Sequence, residues 1–532
     1  MTPAVTNDRK RAGNDPGTGH KKQKKVVRRK YKAKAVEETS PLGVLKHEID
    51  LLMKSVSLHE SDIANDMPGI LNEPEIASKY HREVQNVKIR QLSSNGDGLS
   101  VIQHPTNEAG KQIILVPFGL PGDIVTVRVF KTHPLYAEAD LLSIEEPSAL
   151  RDDSLINCRY FGKCSGCQFQ NVAYDQQLVF KKQTIENAYT HFAPKLMAAN
   201  LLPKVDSTEP SPLQYNYRTK LTPHFNLPYK KPENMPLPPL GFGSKGRPEW
   251  RNTDGGSGSI LDIEECSIGT PIVNVGMKNE RLRFKKEFEK YKKGATILLR
   301  ENTSINDTDL VGSTNESGEV STIKDNDSIK TCVTNSRQIV REVVDGREFE
   351  FSAGEFFQNN NSILPAVLQY VRSNLAISDK QDNYLVDAYC GSGLFSISCS
   401  DNVKKVIGVE VSADSVKFAE RNAANNNIAN VKFIVGKAEE IFKDIDTPAS
   451  QTSVILDPPR KGCDDVFLNQ LSEYNPVKIV YISCNVHSQA RDVEWFLNNT
   501  VNGANYKVES IKGFDFFPQT HHVESVAVLI RV

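Results

Sequence analysis

One thiol in this chain stands where chemistry is done rather than where cores are filled. The apolar run Ile479–Ile482 breaks off into Ser483-Cys484-Asn485. A free cysteine is ordinarily a small buried hydrophobe. At the carboxyl end of a sheet strand, however, it would point into the crevice where open α/β sheets bind ligands. Upstream, NYLVDAYCGSGLFSISCS is a buried strand, a turn through Gly391 and Gly393, and the start of a helix. The glycines let the backbone turn sharply and approach a ligand. The next strand, KKVIGVEVS, carries Glu410, and a carboxylate about 20 residues past such a turn is placed to accept ribose hydroxyls. Phe395 and Ser396 occupy the neighbourhood of the dinucleotide fingerprint's third glycine. That departure disfavours a pyrophosphate cofactor and favours S-adenosylmethionine, which has no phosphate to cradle. In SVILDPPRKG, two prolines stiffen the exit of a further strand and orient Asp457 toward the same crevice. A separate group of thiols, Cys158, Cys164 and Cys167 in CRYFGKCSGCQFQ with Cys266 in DIEECSIG, suits zinc or an iron–sulfur cluster, or is a set of reduced, unligated thiols.

These residues need elements to position them. Residues 1–39 form a basic arm, with RKR and KKQKKVVRRKYKAK set among Gly, Asn and Pro, which cannot bury a core. Residues 40–80 carry an amphipathic stretch, GVLKHEIDLLMKSVSLHE, expected to be a helix within a helical or irregular segment. Residues 81–147 read as short strands around Asn-Gly-Asp-Gly and Pro-Gly-Asp turns, which suit a five-stranded barrel of the OB type and, on pattern alone, a generic β-barrel equally. Residues 148–360 are a mixed α+β domain with the cysteine cluster, a helix at 175–190 and a flexible polar insertion at 301–330. From 361 to 532, helix and strand alternate. The fold class is therefore α/β, with a C-terminal doubly wound Rossmann-like domain, suited to S-adenosylmethionine by the glycine turn and Glu410, behind the barrel and the mixed domain.

Composition narrows the partners. The 532 residues have a net charge of −1 and 25% charged side chains, so no overall field announces nucleic acid, yet the arm is strongly basic. It reads as a nuclear localisation signal, an RNA-binding tail or both, which predicts residence in the nucleus, the cytoplasm or both. No apolar run of about 18 residues and no charged-then-apolar leader is present, so no membrane association is expected. Nine cysteines without such a leader argue for a reducing compartment. Nothing in the sequence calls for an obligate protein partner.

At this point the motifs FFQNN (356–360), DAYCGSGLF (387–395), GVEVS (408–412), LDPPRKG (456–462), YISCNV (481–486) and FDFFPQTHHVES (514–525) add up to a resemblance. In this order they resemble the RNA uracil-C5 methyltransferases, which make 5-methyluridine in tRNA and ribosomal RNA, and the barrel looks like the TRAM domain of many members. The resemblance spans roughly 82–532; the arm and the 301–330 segment look like eukaryotic additions, and the layout is similar to the fungal enzymes that act on the T-loop uridine of tRNA. It implies Cys484 as nucleophile and Glu524 as general base, with Gln358, Tyr389, Glu410 and Asp457 contacting S-adenosylmethionine or framing the pocket. It also implies that Cys158, Cys164, Cys167 and Cys266 match the 4Fe–4S site of some bacterial ribosomal-RNA members.

The chemistry requires such groups. Carbon 5 of uracil is a weak nucleophile until a thiolate adds at carbon 6, and the resulting adduct must then lose its carbon-5 proton to a base. The helix beginning near His487 is expected to favour the thiolate with its positive end. PQTHHVE follows the last expected helix as a loop returning Glu524 to the pocket; the adjacent His521 and His522 point opposite ways on an extended chain and are read as structural or substrate contacts. The target base must be flipped from its stack, and Phe356 and Phe357 are candidates to replace that stacking or to pack in the core. The rival readings are a ribosomal-RNA substrate and a non-catalytic RNA-binding or RNA-folding protein.

Overall fold

The computed structural model describes residues 28–32, 35–246, 260–305, 310–375, 382–401, 403–437, 441–442 and 445–532. Residues 1–27 and 33–34 of the expected basic arm thus lie outside the described residues, and so does 306–309 of the expected insertion.

Four helices, Pro41–Ser55, Glu60–Ile63, Met67–Asn72 and Pro74–Tyr80, fill the segment before the barrel. The first begins where Ser40 accepts the Gly43 N–H and Pro41 fixes the opening backbone angle. Between Glu83 and Glu146 six strands pair in the order 83–88, 124–132, 137–146, 111–116, 98–103, 91–92. Five were expected. The sixth, Gln91–Leu92, is two residues long, too short for alternation to show in the sequence.

The central region holds the expected helix, observed as Tyr174–Phe192. The 301–330 expectation is corrected: most of Leu299–Ser304 is buried, and this strand pairs with Ser328–Val333, which in turn pairs with Thr322–Asp325. Polar residues of the paired strands bond one another, which hid the strand from a search for apolar alternation. Asn302 Nδ2 donates to Thr331 Oγ1 at 3.1 Å, and Lys330 pairs with Glu301 at 2.9 Å.

The C-terminal sheet has seven strands in the order 431–435, 405–410, 384–388, 452–456, 478–483, 524–531, 506–514. Neighbours among the first five run parallel, and Glu524–Arg531 runs antiparallel to both of its neighbours. Helices cover both faces, as a doubly wound sheet requires. One apolar layer gathers Val367, Leu368 and Val371 against Leu385, Ile455 and Val480. The other sets Ile185, Tyr189, Val493 and Phe496 against Val386, Val454 and Ile479, so the central domain's helix is built into the catalytic core. Reversal of one strand has a chemical consequence: Glu524–Arg531 begins at the edge where the parallel strands end. Among the described residues no helix is long and apolar enough to cross a membrane.

Candidate active site

A pocket of about 1260 Å³ opens at that edge, lined by Gln358, Tyr389, Glu410, Asp457, Arg460, Cys484 and Glu524 among others. All six residues read from the sequence as catalytic or cofactor-binding are therefore brought together, five at a strand end or just past it and Gln358 from the irregular stretch before the helix Leu364–Leu375.

The glycine turn forms the first wall. Tyr389, Gly391 and Gly393 all adopt positive φ, of 69°, 54° and 92°. For a tyrosine this is a costly backbone, held here because the Tyr389 and Cys390 amides both donate to the Val409 carbonyl at 3.0 Å. A Cβ at Gly391 would meet nothing within 4 Å, so that position is kept for its backbone angle. Glu410 accepts the Gly391 N–H at 3.2 Å and the Ser412 N–H at 2.9 Å, which locks its carboxylate at the tip of its strand.

The second wall is acidic and buried. Burial pushes the Asp457 carboxyl up to about 7, assisted by Asp387. Glu524 is pushed up to about 8 by burial and then by Asp457, with Arg460 opposing. Cys484 is pushed up to about 12 by burial and by the Glu524 and Asp457 carboxylates, while Arg460 beside it pulls the other way. The expected activation of the thiol is thus not a resting property of the site, although the helix Val486–Asn499 does start two residues after it.

Strand register sets the key relationship. Ser483 and Ser525 are the last pair of the antiparallel ladder; Cys484 follows the one and Glu524 precedes the other, and both line the pocket. Glu524 is not on a mobile loop, as its sequence context suggested. It is 5% exposed and opens a strand, and the chain before it is clamped by the central domain. The fully buried Lys181 pairs with Asp515 and donates to the Phe517 carbonyl at 3.0 Å. Tyr217 donates to the Pro518 carbonyl at 3.0 Å, and Asn360 to that of Phe516 at 3.1 Å. His521 belongs to this clamp through Gln168 Oε1 at 3.0 Å, and His522 packs edge-on against Phe517. Burial holds their imidazoles neutral, at about 4 and about 3.

The two candidate stacking residues separate. Phe357 is buried and stacked on Phe351, whereas Phe356 is 75% exposed at the pocket lip. Arg460 was passed over in the sequence as the residue after Asp-Pro-Pro; its charge is what its motif could have flagged.

Cys158, Cys164, Cys167 and Cys266 line a second pocket of about 400 Å³, and none forms a disulfide. Burial raises the thiol of Cys164 to about 11 and those of Cys167 and Cys266 upward as well. Among the described residues no group of three or more such side chains is placed to hold a metal ion.

Comparison with known proteins places this geometry. Residues 319–532 match the family model tRNA (Uracil-5-)-methyltransferase, and residues 78–142 match the TRAM domain. The tRNA (uracil(54)-C(5))-methyltransferase of Saccharomyces cerevisiae is 56% identical over 542 residues, covering 97% of this chain and 85% of that protein. Its namesake from Schizosaccharomyces pombe is 44% identical, covering 96% of this chain and 87% of that protein. Among solved structures, the Pyrococcus abyssi tRNA (uracil-54, C5)-methyltransferase in complex with S-adenosyl-L-homocysteine superposes with a TM-score of 0.56 at 23% identity, over 84% of this chain and all (100%) of that one, a likeness of fold. The strand ends, the TRAM barrel and these relatives agree, and the chain belongs to the tRNA (uracil-5-)-methyltransferase family.

Proposed function

We propose that the protein methylates carbon 5 of uridine 54 in tRNA, using S-adenosylmethionine, with Cys484 as nucleophile and Glu524 as proton acceptor. The observation that carries this reading is that the ladder ends at Ser483–Ser525, so that a thiol just past one strand and a buried glutamate opening the other line one pocket. The pocket suits the cofactor by charge. Its walls carry the Glu410 carboxylate and the buried carboxyl groups of Asp457 and Glu524, and Glu410 is the group that can answer a sulfonium charge. Glu410 is placed for the ribose hydroxyls, and Gln358, Tyr389 and Asp457 frame the cavity between cofactor and base. The cofactor supplies an electrophilic methyl group.

The chain's own residues do the rest. Cys484 gives its proton to solvent water, with the Arg460 cation beside it favouring the thiolate, and its sulfur bonds to carbon 6, pushing an electron pair toward carbon 5 and the carbonyl oxygen. Carbon 5 takes the methyl group and Glu524 then takes the proton from carbon 5. The electron pair left behind expels the sulfur, breaking the bond to carbon 6 and restoring the thiolate. Burial makes Glu524 a stronger proton acceptor than an ordinary carboxylate once ionised. Phe356 at the lip is placed to stack on a displaced base, worth about 1–3 kcal/mol.

Incubation with an unmodified tRNA transcript and labelled cofactor tests the assignment. The expected product is 5-methyluridine at position 54 alone. Methylation of ribosomal RNA instead would move the substrate, and tRNA binding without methyl transfer would favour the RNA-binding alternative.

At the second pocket the same reading extends to a 4Fe–4S cluster on Cys158, Cys164, Cys167 and Cys266. What supports it is four free thiols around one cavity; as the thiols stand, burial favours their neutral forms, and an iron core would have to supply the charge that holds thiolates. Iron and sulfide analysis after anaerobic purification is expected to give about four of each per chain; zinc or no metal would overturn it. The basic arm supports residence in the nucleus, the cytoplasm or both, checked by imaging the tagged chain with and without residues 9–34.

A further inference from the structure

Residues 35–77 lie outside both matched family models, and the mechanism above uses none of them. Yet Thr39 is 2% exposed, packed against a site 446 positions downstream. Asn485, the residue after Cys484, donates from Nδ2 to three acceptors. They are the Arg460 carbonyl at 2.9 Å, Ser488 Oγ at 2.7 Å and the Thr39 carbonyl at 3.2 Å. Ser488 in turn donates to the Arg460 carbonyl at 2.8 Å and to Thr39 Oγ1 at 3.3 Å. Arg491 donates to the same hydroxyl at 3.4 Å and pairs with Glu37 at 3.6 Å. Asn485 and Ser488 thus join the turn bearing Arg460 to the turn bearing Cys484, and Thr39 holds that knot from the Cys484 side.

The segment is held stiffly enough to act on that knot. A Cβ at Gly43 would lie 2.2 Å from the Glu37 carbonyl oxygen and 2.3 Å from that of Glu38, so the turn into the helix admits only glycine. The helix Pro41–Ser55 is then pinned on two sides. Val44 joins the catalytic core that contains Ile185 and Val486. Leu45, Ile49 and Leu52 pack with Leu99 and Ile113 of the barrel, and Glu48 accepts the Ser94 N–H of the barrel at 2.7 Å.

We propose that Thr39 is a positioning residue for the methyl transfer: its hydroxyl, on Ser488 and Arg491, steadies the turn that carries Cys484 against the turn that carries Arg460. The strap formed by Glu37–Ser55 belongs to the active site although it touches neither base nor cofactor. This rests on the reading of Cys484 as nucleophile.

The test is the single-turnover rate of covalent complex formation between the full chain and 5-fluorouridine-substituted tRNA, with the cofactor present. Thr39→Val is expected to slow that rate about tenfold, the effect of one hydrogen bond expressed in a barrier, while dissociation constants for tRNA and cofactor stay within about twofold. Thr39→Ser, which keeps the hydroxyl, is expected to return the rate to within about twofold of wild type. If Thr39→Val fails to fold, Glu37→Gln, which loosens Arg491 from outside, carries the test with an expected two- to threefold slowing. A wild-type rate in Thr39→Val, or in Glu37→Gln where that variant carries the test, would overturn the proposal, as would a Thr39→Ser variant as slow as the valine. A wild-type chain that forms no complex at all would instead overturn the nucleophile assignment, and the strap's role with it.

Discussion

Two pockets in this molecule are marked by cysteine, and they are built in opposite ways. Around Cys484 most of the functional side chains sit at a strand end or in the turn beside it, and the ladder that ends at Ser483–Ser525 brings the thiol and Glu524 to one pocket. Around Cys158, Cys164, Cys167 and Cys266 the chain is mostly turns and two- or three-residue strands, and the thiols share a cavity without being drawn onto a common centre. Sheet register can set reacting groups before any ligand arrives, whereas a loop-borne donor set is finished only by what it binds. The first pocket should therefore respond to substitution in rate, and the second in stability.

The largest break in that contrast would come from Cys484→Ala. Loss of at least about a thousandfold in methyl transfer is expected, with cofactor binding retained, measured by single-turnover transfer and calorimetry. Glu524→Gln is expected to cost roughly 10²- to 10⁴-fold in turnover. Unlike the cysteine variant it should accumulate a denaturation-resistant complex with ordinary uridine, because the adduct forms and cannot lose its proton. The pH profile sharpens the point. Glu524 must be ionised to accept a proton and burial holds it at about 8, so turnover should rise as pH increases from about 6.5 to 9, up to tenfold per unit below the midpoint. Asp457 helps to raise Glu524; Asp457→Asn should therefore move the midpoint to lower pH, whatever it does to cofactor affinity. Replacing Cys158 and Cys266 together by serine should be the mildest, changing single-turnover rate by less than about threefold while lowering the unfolding midpoint by a few degrees. A collapse of the rate would mean that the second pocket takes part in the chemistry.

Much of the first pocket was legible because periodicity carries it. Apolar runs ending in Glu410, Asp457 and Cys484 announce strands of a doubly wound sheet, and such strands deliver their last residues to one edge. What escaped was whatever depends on pairing rather than spacing. Glu524 reads as a loop residue, and its burial follows only once its strand is seen to run against its neighbours. The buried Lys181–Asp515 pair that clamps the chain before it joins residues 334 apart, and Thr39 touches Asn485 across 446. Neither contact leaves a local signal. The strand Leu299–Ser304 escaped for a different reason, since its polar side chains find partners inside the sheet.

The central claim is that Cys484 bonds to the base while Glu524 waits to remove its proton. It is met most directly by placing 5-fluorouridine at position 54 of an otherwise unmodified tRNA, adding enzyme and cofactor, and sequencing the trapped peptide by mass spectrometry. Fluorine at carbon 5 cannot leave as a proton, so a methylated nucleotide should be found attached to the peptide through Cys484. Attachment through any other cysteine, or free product from ordinary tRNA with no trapped complex from the fluorinated one, would contradict it.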